Sequence, residues 1–129
     1  MTQANALLID DDSNNLGILA EMLSIEGVQY TKVQNPLHLN AALNQIGKVD
    51  VIFLDLEMPG MNGYDILKMF KQDARFSSVP VVAYTVHVSE INTARKLGFH
   101  SFLGKPIDAE QFPAHLHRIL NGEHVWSLP

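Results

Sequence analysis

Five polar residues each close a short apolar run. Asp10 and Asp11 follow ALLI at 6–9, Asp55 follows VIFL at 51–54, Thr85 stands just beyond VPVVA at 79–83, and Lys105 follows SFLG at 101–104. Their chemistries are complementary. Three carboxylates gathered within a few ångströms do not all stay ionised cheaply, so such a site raises their pKa values or holds a cation. Mg²⁺ suits the donors: it prefers oxygen, is held by one or two carboxylates, keeps several waters, and takes its remaining contacts from a substrate's phosphate. One lysine as a point charge and one threonine hydroxyl as a donor complete a set able to hold a phosphoryl group. The sequence carries no Gly-rich phosphate loop with its lysine and no nucleotide-binding glycine fingerprint, and the simplest nucleophile is Asp55 itself.

The elements that must position these groups follow from patterning. In VIFLDLEMPGMNG at 51–63 an uninterrupted apolar run, typical of a strand buried on both faces of a parallel sheet, gives way to Asp55 and then to the turn residues Pro59, Gly60, Asn62 and Gly63. Residues 6–9, 28–33, 79–83 and 101–104 read as further strands. Between them lie helical patterns: one capped by Ser13 or Asn14 and stopped at Gly27, one opened by Asn35-Pro36 and running to Gly47, and one capped by Asn62. A weak one lies over 89–97, and a last one begins with a capping-box-like Asp108 and Gln111, with Pro113 delaying or bending its start. Five strands alternating with five helices predict an α/β fold, a doubly wound five-stranded parallel sheet with helices on both faces. Ligands of such sheets bind at the carboxyl ends of the strands, where all five polar residues fall.

With 129 residues, 47% hydrophobic and 18% charged, one domain is expected, over 1–122, with a short C-terminal tail at 123–129. A formal net charge of −5 and the lack of any Lys/Arg block argue against nucleic acid or an anionic membrane as partner. There are no cysteines, no signal-peptide pattern at the start and no apolar run long enough to span a bilayer, so a cytoplasmic location is the default expectation.

Through LLIDDDS at 7–13, FLDLEMPGMNG at 53–63, VAYT at 82–85 and SFLGKPID at 101–108, nearly the whole chain resembles the receiver domain of two-component response regulators. The resemblance implies a flavodoxin-like sheet of strand order 2-1-3-4-5 and a single-domain regulator in a phosphorelay. Asp55 would accept a phosphoryl group from a histidine kinase or phosphotransfer protein. Asp11 and Asp55, with the backbone carbonyl of Glu57, would hold Mg²⁺ directly, and Asp10 mainly through water. Lys105 would pair with the phosphoryl oxygens, beside a cis bond to Pro106. Thr85 and Phe102 would form the switch, the one swinging to the phosphoryl group and the other turning inward behind it. The fourth helix, fifth strand and fifth helix would face a downstream protein, since no output domain follows in these residues. The chain would catalyse only its own phosphoryl transfer and dephosphorylation.

Several positions depart from the usual receiver pattern. Val86 replaces a smaller residue and narrows access to the site, while Glu57 and His87 flank it and are expected to interact and tune the phosphorylated lifetime. Phe102 lacks the hydroxyl a tyrosine would add. His115 and His117 lie two apart, on opposite sides of a helix, which rejects a metal pair; Met58 and Met61 read as packing residues. Trp126 either covers the last helix or meets a partner, and an exposed aromatic there would be weak support for a homodimer. Two other classes stay open: a receiver-like module working without phosphorylation, and an aspartate phosphatase of the haloacid dehalogenase type using Asp10, which the DDDS run resembles but the short chain disfavours.

Overall fold

The structure is a computed structural model and describes residues 3–129. In chain order the elements are β1 (Asn5–Ile9), α1 (Ser13–Ile25), β2 (Gln29–Val33), α2 (Leu39–Leu43), β3 (Val51–Asp55), β4 (Glu57–Met58), β5 (Met61–Asn62), α3 (Gly63–Gln72), β6 (Val81–Thr85), α4 (Ile91–Leu97), β7 (Ser101–Gly104), α5 (Phe112–Leu120) and β8 (Trp126–Ser127). Single 3₁₀ turns at Pro36–His38 and Val88–Glu90 lead into α2 and α4.

The most apolar runs lie at the centre of the sheet. All of β3 and all of β6 are buried, and the strand order is β2-β1-β3-β6-β7-β8, every pair parallel. The first five positions reproduce the expected 2-1-3-4-5 order, and β2, exposed along four of its five residues, is the edge strand its polar alternation predicts. Side chains alternate across the sheet. One cluster, with Phe53, Val82 and Leu103, packs under α1 and α5; the other, with Leu54, Ala83 and Phe102, packs under α2, α3 and α4. An open sheet needs helices on both sides to cover these faces.

Register delivers the polar strand ends to one edge. Ile9 pairs with Leu54, Asp55 with Tyr84, Tyr84 with Leu103 and Thr85 with Gly104, so Asp10, Asp55, Thr85 and Lys105 emerge together. The turn after β3 is a two-stranded ribbon of β4 and β5 closed at Gly60, whose φ of 75° favours glycine. Behind it Gly63 opens α3 so close to the strand that an added Cβ would lie 3.0 Å from the Leu56 backbone.

Four local expectations are corrected. The cap of α1 is Asp12, not Ser13 or Asn14: its carboxylate accepts from the Asn14 and Asn15 amides at 2.9 and 3.3 Å. The helix expected to reach Gly47 ends as α2 at Leu43 and closes in a turn. The capping box of Asp108 and Gln111 does not form. Asp108 instead accepts from the Glu110 amide within a turn, and α5 starts at Phe112, so that Pro113, lacking an N–H, sits in the first turn where none is needed. The sheet also has a sixth strand, because residues 126–127 pair with β7.

Candidate functional site

At the carboxyl edge of the sheet Asp10, at the end of β1, is fully buried and fully bonded. Its Oδ1 accepts from the Asp12 amide at 2.9 Å, and its Oδ2 accepts from the Tyr84 hydroxyl at 2.9 Å and from Lys105 Nζ at 3.0 Å. Asp55, the last residue of β3 and also buried, is less well supplied: its Oδ1 accepts from the Glu57 amide at 3.2 Å and lies 3.6 Å from Lys105 Nζ. Lys105 Nζ stands 4.5 Å above the Tyr84 ring, so one ammonium serves two carboxylates and an aromatic face.

This asymmetry separates the two acids. Burial alone would raise Asp10, but the Asp12 amide, the hydrogen bond and charge of Lys105, and the Tyr84 hydroxyl together hold it below the ordinary carboxylate range. For Asp55 burial dominates and Asp10's charge adds to it; Lys105 only partly offsets them, and the carboxyl is pushed up to about 7. The same burial, with Asp10 beside it, raises the Tyr84 phenol and keeps it a donor. The edge therefore holds one committed anion and one carboxylate short of positive charge.

Asp10, Asp11 and Asp55 each offer a carboxylate oxygen, and the three lie within 4.8 Å of one another, with Asp11 open to solvent. Three hard oxygen donors around a buried carboxyl that is costly to ionise fit a divalent cation of the Mg²⁺ kind.

Thr85 and Phe102 are wholly buried, and by alternation they share the sheet face that carries α4, not the face of Asp10 and Tyr84. The Thr85 hydroxyl accepts from the His87 amide at 3.1 Å. Glu57 lies in β4 opposite Asn62, and its Oε1 is 3.6 Å from His87 Nε2 at the mouth of the site, both side chains exposed. Val86 is 63% exposed beside them and points away from the core. The Lys105–Pro106 bond is cis.

Two contributors escaped the sequence. Tyr84 supplies the hydroxyl that fixes Asp10; the available signal was a phenol inside an otherwise apolar strand, which must find a partner when buried. Tyr64, at the start of α3, donates to Glu90 Oε2 at 2.7 Å and packs edge-on to Phe99, tying the turn after β3 to the approach to α4. Nothing local in the sequence pairs positions 26 residues apart.

The family model described as the response regulator receiver domain matches residues 6–117. The chain is 31% identical over 121 residues to the protein PilH of Pseudomonas aeruginosa, covering 92% of this chain and 99% of that one. It is 32% identical to the transcriptional regulatory protein CpxR of Klebsiella pneumoniae across 94% of this chain, and it spans about half the length of that relative, of which it covers 50%. Among solved structures, the chemotaxis response regulator CheY4 of Vibrio cholerae superposes with a TM-score of 0.81 at 22% identity, over 92% of this chain and 99% of that one.

Proposed function

Because the chain belongs to the response regulator receiver family, the signalling modules of two-component systems, we propose that it accepts a phosphoryl group on Asp55 and that the modified site switches its protein contacts. The observation that carries this is the contrast between the two buried acids. Asp10 spends its oxygens on Asp12, Tyr84 and Lys105, whereas Asp55 keeps only the Glu57 amide and a longer contact to the shared lysine. An acid already saturated with donors is a poor nucleophile, which disfavours a phosphatase built on Asp10.

In the transfer an Asp55 oxygen forms the new bond to phosphorus as the bond from phosphorus to the donor's imidazole nitrogen breaks, its electron pair staying on that nitrogen. Asp55 must be ionised to attack. Lys105, already within 3.6 Å, is placed to follow the charge from carboxylate to phosphoryl oxygen. Asp10, Asp11, Asp55 and the Glu57 carbonyl would hold Mg²⁺, which supplies charge neutralisation for the phosphoryl oxygens. Thr85 would exchange its His87 amide for the phosphoryl group, and the Phe102 ring, on the same face, would repack with it against α4. Such a bias works only through contacts better made in one state than the other. The expected donors are a histidine kinase or phosphotransfer protein, and the expected readout is a protein target. No described helix is long and apolar enough to cross a membrane, and a cytoplasmic site of action is the reading consistent with that partner class.

The test is incubation with Mg²⁺ and acetyl phosphate, read by intact mass. A metal-dependent, labile phosphoryl adduct in the parent and none in Asp55→Asn is expected. A folded parent that takes no adduct would overturn the reading, and phosphate release surviving Asp55→Asn but lost in Asp10→Asn would replace it with a phosphatase.

A further inference from the structure

Helix α4 buries the smallest share of its residues of any helix in the fold. Of its seven residues only Ala94 is buried, and no side chain caps its start. The segment that feeds it, residues 86–90, is bonded mainly to itself: the Val88 amide donates to the Val86 carbonyl and the Glu90 amide to the His87 carbonyl, each at 3.0 Å, and the His87 amide donates to the Thr85 hydroxyl at 3.1 Å. One side chain reaches both ends of α4. Tyr64, in the first turn of α3, donates from its hydroxyl to Glu90 Oε2 at 2.7 Å, just before α4, and its ring packs edge-on to Phe99, just after it, with centroids 5.8 Å apart. Among the described residues this is the only side-chain hydrogen bond that ties 86–90 to a helix or strand other than β6.

Tyr64 is itself well fixed. Its amide donates to the Asn62 side-chain oxygen at 2.8 Å, and the preceding Gly63 packs against the backbone of Leu56, the residue after Asp55. Burial and the neighbouring Glu90 raise the phenol above its ordinary value, so the hydroxyl stays a donor. Tyr64 thus stands on the turn that follows the Asp55 strand and holds the turn that follows Thr85. Its bond coexists with the Thr85 hydroxyl serving the His87 amide, the arrangement Thr85 must leave to reach a phosphoryl group on Asp55. We propose that Tyr64 is a positioning residue: its bond to Glu90 latches residues 86–90 and α4 in the unphosphorylated arrangement, and release of that bond frees Thr85 to swing toward Asp55. The proposal rests on Asp55 as the phospho-acceptor and adds to it the contact that sets the readiness of the switch. A contact made in one state only biases the equilibrium toward that state, and a hydrogen bond to a charged acceptor is worth about tenfold in the ratio. Removing it should raise the switched population and, with it, the rate at which Asp55 takes a phosphoryl group.

The test compares the parent with Tyr64→Phe, which keeps the ring against Phe99 and changes no charge, in Mg²⁺ and acetyl phosphate with intact mass as the readout. Tyr64→Phe should label about tenfold faster. Equal or slower labelling would overturn the proposal, and general damage to the fold would slow the reaction, not speed it. Glu90→Ala should also label faster than the parent, and adding Tyr64→Phe to it should bring no further gain, since both changes delete one contact. Glu90→Gln loses the same charge as Glu90→Ala but keeps an oxygen for the hydroxyl, so it should label more slowly than Glu90→Ala; equal rates would assign the effect to charge and exclude the latch. Amide hydrogen exchange reads the latch without phosphorylation. In Tyr64→Phe residues 86–91 should exchange about tenfold faster than in the parent, while β3 and β6 stay unchanged. Unchanged exchange at 86–91 would sink the latch even if Asp55 labels. Faster exchange there, with no adduct in either protein, would instead refute Asp55 as the acceptor, so the two failures are distinct.

Discussion

Replacing Asp55 by asparagine should make the metal-free protein more stable at neutral pH, although it deletes the residue the fold presents for chemistry. The Asp55 carboxyl is raised from an ordinary 3.8 to about 7, with burial the leading cause and Asp10's charge the next. A group raised in the folded state contributes stability that is full below its unfolded value and is lost as the pH climbs through the folded one. From 3.8 to about 7 the loss is about 4 kcal/mol at 1.36 kcal/mol per tenfold. Relaxation of Lys105 toward the ionised pair reduces it, so about 2–4 kcal/mol is the working figure. Asparagine keeps an oxygen for the Glu57 amide and carries no charge to desolvate, so it escapes this cost. Asp10 does not blur the window. Its pKa is lowered, so its contribution is present above the ordinary carboxylate value and fades only as the pH falls below it. The assay is urea unfolding of parent and Asp55→Asn in EDTA across the range from about pH 5 to about pH 8. The variant's advantage should be near its maximum at the alkaline end, shrink steadily on acidification, and shrink again at alkaline pH when Mg²⁺ is added, because the cation restores the parent. A variant equal to or weaker than the parent at about pH 8, or a difference flat with pH, would refute the argument that Asp55 is held as a frustrated acid.

Three further outcomes follow from the same geometry. Tyr84→Phe removes one of three donors to a buried carboxylate and should cost about 1–3 kcal/mol in urea unfolding, with the loss concentrated above the acid range where Asp10 is charged. Asp12→Ala leaves the Asn14 and Asn15 amides of α1 unserved and should cost about 1 kcal/mol, with acetyl phosphate labelling of Asp55 unaffected. Glu57→Ala and His87→Ala break an exposed pair at the mouth of the site, so neither should move the melting temperature measurably, but both should change the decay of the phosphorylated form; identical decay in parent and both variants would remove them from any role in its lifetime.

The sequence by itself determined the architecture and which strand ends carry Asp10, Asp11, Asp55, Thr85 and Lys105, but not the parts of Tyr84 and Tyr64. Apolar runs of four or five residues that stop at an acid, a hydroxyl or a lysine give both the strand and its functional end, because a strand buried on two faces is apolar through its middle and takes its polar residues towards its ends. Helix positions followed from three- and four-residue spacing, with errors at the ends, where Asp12, Leu43 and Phe112 displaced the expected boundaries. Those errors have a common cause: several polar residues stand in line at each terminus, and only the packed backbone selects which one caps. Tertiary structure alone decided which acid is satisfied and which is not. That depends on Tyr84 and Lys105, 74 and 95 residues from Asp10, converging on the same oxygen. It also decided the place of the C-terminal segment. VWS is too short to show strand periodicity, and its pairing comes from the vacant edge of β7 and from Ser101, Gly104 and Arg95 around it, none of which is near it in sequence.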